Sequence, residues 1–178
     1  MVYVFLADGF EEIEALTPID VLRRADIDVQ SIGITGKKVC GAHNICVDAD
    51  ANIEDFNENE VEAIILPGGL KGTQNLDSSD FVKTSVNKAF NDGKIVCAIC
   101  AAPMILGKMG VLKNKKATCY PGFEEHFDNA EYIKEAVVKD GNVITSNGMG
   151  SAFKFAFEIV ASIKGRETAD KIKKEIQY

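Results

Sequence analysis

Short apolar runs alternate with amphipathic stretches along this chain, and that alternation limits the fold more than any other feature. Strands written as near-continuous Val, Ile, Leu and Ala runs are buried on both faces, as in a parallel sheet covered by helices. Runs at residues 2–7, 29–33, 63–66 and 94–99 predict four such strands. Helical patterns at 11–25, 79–91, 151–164 and 166–176 supply the covering layers. Gly93 closes the second of these as a C-cap, and Pro18 is expected to bend the first. Residues 36–49 read as a small hairpin carrying Cys40 and Cys46, and 67–72 as a glycine-rich loop. Further on, 118–121 reads as a short strand, 123–127 as a helical turn, and 137–138 with 143–146 as a second hairpin. No repeat or low-complexity linker interrupts the pattern, so residues 1–178 are expected to form a single α/β domain.

The formal net charge of -7 argues against nucleic acid or anionic membranes as partners. No apolar stretch approaches the length of a membrane span. Residues 1–6 are apolar but have no basic start and meet Asp8 at once, which reads as a first strand rather than a signal peptide. A cytoplasmic location follows as the expectation. Five cysteines, an odd number at scattered spacings, make no disulfide framework, so free thiols are expected. Two histidines and one isolated Cys97-x-x-Cys100 pair offer no zinc ligand set, and no metal is expected. The pair does not read as a redox dithiol either: Cys97 lies inside a strand, and an odd offset sends alternate side chains to opposite faces.

Chemistry concentrates at Cys100. An apolar strand precedes it, and small residues and Pro103, in the first turn of a helix, follow it. A thiol on a sharp strand-to-helix turn has the geometry of a nucleophile elbow, and a helix N-terminus favours its thiolate. The plainer alternative is a small buried hydrophobe at a strand end. Ligands of parallel sheets lie beyond the carboxyl ends of the strands, where this topology gathers Cys100, the turn Pro67-Gly68-Gly69, and the acidic stretch containing Glu11, Glu12 and Glu14. The carboxylates also suit a helix N-terminus, and the glycines a tight turn. The turn lacks the terminal Gly-Lys-Ser/Thr of a phosphate loop, but two backbone amides near a thiolate can form an oxyanion hole.

Four motifs in order resemble the DJ-1/ThiJ/PfpI superfamily: Gly9-Phe10-Glu11-Glu12-Ile13-Glu14, Leu66-Pro67-Gly68-Gly69, Ala98-Ile99-Cys100-Ala101-Ala102-Pro103 and Thr145-Ser146-Asn147-Gly148. The resemblance spans essentially the whole chain. It implies a flavodoxin-like three-layer sandwich, usually a homodimer, with a reactive cysteine at Cys100. It assigns Glu14 as the glutamate that hydrogen-bonds the sulfur, Glu11 as a second acid near the pocket, and the amides of Gly69 and Ala101 as oxyanion donors, with Gly68 beside them. Protease-like members place His after the nucleophile; Ala101 here is similar to the small DJ-1/ThiJ branch, which argues against protease activity. Glyoxalase-active relatives commonly carry Thr-His-Pro where this chain has Cys119-Tyr120-Pro121. A phenol is a weaker base at neutral pH than an imidazole, but it can donate a hydrogen bond or shape the pocket.

What the resemblance implies is a cofactor-independent, glutathione-independent glyoxalase or deglycase acting on methylglyoxal, glyoxal or glycated groups. In that chemistry Cys100 adds to the aldehyde and Glu14 shuttles the proton. The alternative is a cysteine-based oxidative-stress sensor or redox-regulated chaperone, in which Cys100 is oxidised and Glu14 stabilises the product.

Overall fold

The computed structural model describes residues 1–178. In chain order the strands are β1 (Val2–Leu6), β2 (Val29–Gly33), β3 (Lys38–Cys40), β4 (Cys46–Asp48), β5 (Ala51–Asn52), β6 (Ala63–Leu66), β7 (Ile95–Ile99), β8 (Lys116–Ala117), β9 (Glu131–Tyr132), β10 (Val137–Asp140) and β11 (Val143–Ser146). The α-helices are α1 (Glu12–Arg24), α2 (Leu70–Ser78), α3 (Asp80–Asn91), α4 (Pro103–Lys108), α5 (Ala152–Lys164) and α6 (Arg166–Glu175).

Seven strands form one sheet in the order β10-β11-β7-β6-β1-β2-β5, parallel throughout except for the antiparallel pair β10–β11 at one edge. With the two edge strands β5 and β10 set aside, the spatial order is β2-β1-β6-β7-β11, the flavodoxin-like 2-1-3-4-5 arrangement. Strand alternation divides the interior cleanly. Ile65, Cys97 and Ile99 face a layer made by α1, α5 and α6, while Ile64, Val96 and Ala98 face α2, α3 and α4. The result is the three-layer α/β sandwich, with each strand run buried from both sides. No helix is long and apolar enough to cross a membrane.

The chain order reverses direction between β1 and β6, and the crevice at such a switch point lies outside the carboxyl ends of the strands. The segments that leave those ends are residues 7–11 after β1 and Pro67 to Gly69 after β6, and Cys100 follows β7 beside them.

Several local expectations are corrected. The glycine-rich stretch is not all loop: Gly69, at φ 85°, caps α2, which begins at Leu70. Gly72 is needed inside that helix because a Cβ there would lie 2.7 Å from the Phe10 Cα, so α2 packs directly on the post-β1 loop. Residues 118–121 are not a strand, since their backbone donors turn elsewhere: the Thr118 amide to Thr145 Oγ1 at 2.9 Å and the Tyr120 amide to the Cys100 carbonyl at 2.8 Å. The thiols are not all free. Cys40 and Cys46 face each other across the antiparallel β3–β4 register and are joined as a disulfide, leaving Cys97, Cys100 and Cys119. A count of cysteines speaks to multi-bridge frameworks and is blind to one local cross-strand pair. Finally, the alternation argument does not reach Cys100. That residue has left the strand at φ 64°, and it packs against the same core cluster as Cys97.

Candidate active site

Cys100 holds a left-handed backbone conformation that non-glycine residues rarely adopt. It is pinned from both sides: its amide donates to the Ser146 carbonyl at 2.9 Å, and its carbonyl accepts from the Tyr120 amide at 2.8 Å. Ser146 is itself fixed, its hydroxyl 2.7 Å from that of Ser151, which donates to Asn147. The surroundings thus over-determine a strained turn, which is how such conformations persist at functional sites.

Glu14 comes from the first turn of α1 and is completely buried. Its Oε2 accepts from the Gly68 amide at 3.0 Å. Its Oε1 has no hydrogen-bond partner within bonding distance, although the carboxyl and the Cys100 thiol are close enough to perturb one another. Gly68 permits this juxtaposition, because a Cβ there would sit 2.6 Å from the Cys100 Cβ and overlap Glu14 Oε2.

Burial pushes the Glu14 carboxyl up to about 7; the negative charge of Glu11 adds to the rise, while hydrogen bonding from the Cys100 thiol and the Gly68 amide opposes it. Burial likewise pushes the Cys100 thiol up to about 12, reinforced by the negative charge and hydrogen bonding of Glu14 and opposed by the amides of Gly69 and Ala101. Burial and the neighbouring carboxyl thus work against the thiolate that a helix N-terminus favours. The six-residue α4 starts three residues downstream of Cys100. Two adjacent anions in a buried site are unfavourable, so the pair titrates as a unit around a proton held between them.

Glu11, Gly69, Leu70, Cys100, Ala101, Tyr120 and Phe123 line an open cavity of about 280 Å³. A hollow of about 390 Å³ bounded by α5, α6 and β10 is larger but is lined by no cysteine. The geometry therefore brings Cys100, Glu14, Glu11, Gly68, Gly69, Ala101 and Tyr120 to one place.

A family model described as the DJ-1/PfpI family matches residues 1–162. The chain belongs to the DJ-1/PfpI family. The Parkinson disease protein 7 homolog of Danio rerio is 38% identical over 175 residues, spanning 96% of this chain and 93% of that protein. A Pyrococcus abyssi protein named a deglycase is 30% identical over 165 residues, 92% of this chain and 99% of its own. The crystal structure of Drosophila melanogaster DJ-1beta matches with a TM-score of 0.94 at 35% identity, covering 99% of this chain and 96% of that one.

Within this DJ-1/PfpI protein, Tyr120 is 52% exposed at the cavity mouth, its ring edge-on to Phe123 at 6.4 Å between centroids. Phe123 and Leu70 are lining residues that the sequence reading missed; neither carries a chemical signature, and both reach the cavity through irregular or glycine-led backbone. His43 was missed as well. Its amide donates to Glu12 Oε1 at 2.8 Å and its ring Nδ1 lies 2.9 Å from Glu12 Oε2, with Glu11 Oε1 at 3.8 Å. Burial works against the Glu12 charge, but the His43 hydrogen bonds hold its carboxyl below the usual range. Glu11, Glu12 and His43 bring ligand atoms within 4.8 Å of one another, yet Glu12 spends both oxygens on His43, and the cluster satisfies itself without a cation.

Two predictions follow from this packing. Gly68→Ala should destabilise the protein by about 1–3 kcal/mol in denaturant unfolding and slow alkylation of Cys100, because the new methyl displaces Cys100 or Glu14. Wild-type stability with an unchanged thiol would refute the close approach. The second concerns pH. Glu14 keeps its proton in the native state while the unfolded chain, with a carboxyl at 4.5, releases it. The resulting stabilisation is complete below 4.5 and lost as pH rises through about 7. Glu14→Gln is neutral at every pH. Relative to that variant, the wild type should lose about 3 kcal/mol across this window in urea unfolding. A pH-independent difference would mean that Glu14 ionises alike in both states.

Proposed function

We propose that this protein converts small 2-oxoaldehydes such as methylglyoxal to 2-hydroxy acids at Cys100, without cofactor or glutathione. The observation that carries the reading is a fully buried carboxyl, raised to about 7, set against a thiol on a pinned left-handed turn. An acid with that proton affinity exchanges protons readily in both directions at neutral pH. Glu14 accepts the thiol proton as sulfur adds to the aldehyde carbon, and the amides of Gly69 and Ala101 receive the developing oxyanion. Glu14 returns that proton to the oxygen, giving a hemithioacetal. Glu14 then removes the hydrogen on the former aldehyde carbon while the hydroxyl proton passes to the neighbouring carbonyl oxygen, and it delivers its proton to that neighbouring carbon, leaving the thioester of the 2-hydroxy acid. Water cleaves the thioester, so methylglyoxal plus water gives lactate and restores the thiol. Tyr120, at the cavity mouth, supplies a hydrogen-bond donor to the substrate's second oxygen.

Release of early glycation adducts uses the same thiol addition, and the Pyrococcus abyssi relative named a deglycase supports extending the substrate class to them. The test is glutathione-free loss of methylglyoxal with lactate quantified against it. Many turnovers per protein support the reading, and a single stoichiometric equivalent ends it. A second reading has its own support: the unpartnered Glu14 Oε1 and two amides facing the sulfur suit the oxygens of a sulfinate. Peroxide treatment should then add two oxygens to Cys100 ahead of Cys97 and Cys119, which are fully buried. Exposed Ile13 and Leu16 on α1 support a homodimer through that helix.

A further inference from the structure

We propose that the Cys40–Cys46 disulfide is a redox clasp on the acid-bearing side of the site: closed, it stiffens the loop that presents Glu11 and Glu14, and opened by a dithiol, it slows chemistry at Cys100. The bond spans the β3–β4 hairpin, whose strands are three residues each and belong to no larger sheet. A two-stranded ribbon of that length is marginal by itself; Val39 anchors it in the core, and the cross-link adds to that hold.

What the hairpin holds in turn is the post-β1 loop. The Cys40 amide donates to Asp8 Oδ1 at 2.9 Å, and the Cys40 carbonyl accepts from the Gly9 amide at 2.7 Å. The Ala42 amide donates to the Phe10 carbonyl at 2.8 Å, and the His43 amide to Glu12 at 2.8 Å. One of the two bonded cysteines thus makes two of the ties itself. On its other side the same loop meets the catalytic turn, where the Glu11 amide donates to the Gly68 carbonyl at 2.9 Å. The path from disulfide to Cys100 is therefore continuous: hairpin, residues 8–12, Gly68, Glu14.

Cys46 is exposed and Cys40 partly exposed, whereas Cys97 and Cys119 are fully buried. A thiolate of the reductant attacks the Cys46 sulfur; the Cys40–Cys46 bond breaks and Cys40 leaves as a thiolate that takes a proton. The second thiol of the reductant then displaces Cys46, and the reductant departs as its own disulfide. Two electrons and two protons pass to the protein, and the reverse exchange closes the clasp. The effect on turnover rests on the function proposed above, but the effect on the loop does not.

The whole protein is reduced with dithiothreitol or held oxidised with its disulfide form, then freed of the reagent anaerobically so that no small thiol consumes iodoacetamide or methylglyoxal, and its state is verified by the mass difference of two hydrogens. Hydrogen exchange, iodoacetamide alkylation of Cys100 and methylglyoxal turnover are read in each. Opening the clasp should speed exchange at residues 8–12 by about tenfold. It should cut turnover by about fivefold and change the alkylation rate of Cys100 by a similar factor. Cys40→Ser/Cys46→Ser should match the reduced protein and lose all response to the poise. Asp8→Ala, which keeps the bond but cuts one tie, should shrink the response and serves if the double variant fails to fold. Equal exchange at residues 8–12 in the two states overturns the clasp, as does a response that persists in the double variant. Absence of turnover in every sample, with exchange and alkylation still dependent on the poise, overturns the catalytic reading alone.

Discussion

Cys100→Ala is expected to lower kcat/KM for glutathione-free methylglyoxal conversion by about 10³-fold or more, leaving the protein folded. No other thiol can take over. Cys97 and Cys119 are fully buried and burial pushes both thiols upward, while Cys40 and Cys46 are consumed in a disulfide. Alanine also preserves the turn. It suffers the same left-handed strain as cysteine at φ 64°, and the clamps on the Cys100 amide and carbonyl use backbone atoms that the substitution keeps. Thermal unfolding should therefore move by no more than about 1 kcal/mol, so activity and stability separate. Turnover that survives in the folded variant would remove Cys100 from the mechanism.

Glu14→Gln is expected to act with opposite signs on two readouts. Turnover should fall by about 10²- to 10⁴-fold, because the amide can neither accept the substrate proton nor return it. The thiol, however, should titrate lower than in the wild type. Among the causes holding it up are the charge of Glu14 and its hydrogen bonding, and glutamine abolishes the charge while the amides of Gly69 and Ala101 remain. The pH dependence of iodoacetamide alkylation reads that shift directly. A residue that merely filled space would move turnover and thiol together. A thiol that titrates as before, or a variant that retains full activity, would show that Glu14 is not coupled to the sulfur.

The sequence makes Cys100 legible because its signal is local: an apolar run, a cysteine, small residues and Pro103 point to a turn between β7 and α4, which Ser146 and Tyr120 then hold. The hairpin around Cys40 and Cys46 is legible for the same reason. The disulfide is not, because it depends on which residues oppose each other in register, and composition cannot count that. α2 escaped notice because Gly68, Gly69 and Gly72 look like a loop; only the proximity of Phe10 explains a glycine in its first turn. The ionisation of Cys100 is less legible, because burial, the largest influence on it, and the Glu14 carboxyl on α1 both depend on the assembled fold rather than on its chain neighbours. Gly69 and Ala101 were reachable through motif resemblance, but Phe123 required the path of the loop after β8.

The left-handed turn at Cys100 has a consequence for how this protein would drift in the laboratory. Glycine is the residue that such a backbone prefers, and replacing a strained side chain there typically gains about 1 kcal/mol. Selection for heat resistance alone would thus push the chain toward deleting its own thiol, yielding a sturdier and inert descendant. Any screen for hardier variants must be coupled to a chemical readout, or its winners will be enriched for molecules that have forgotten what they do.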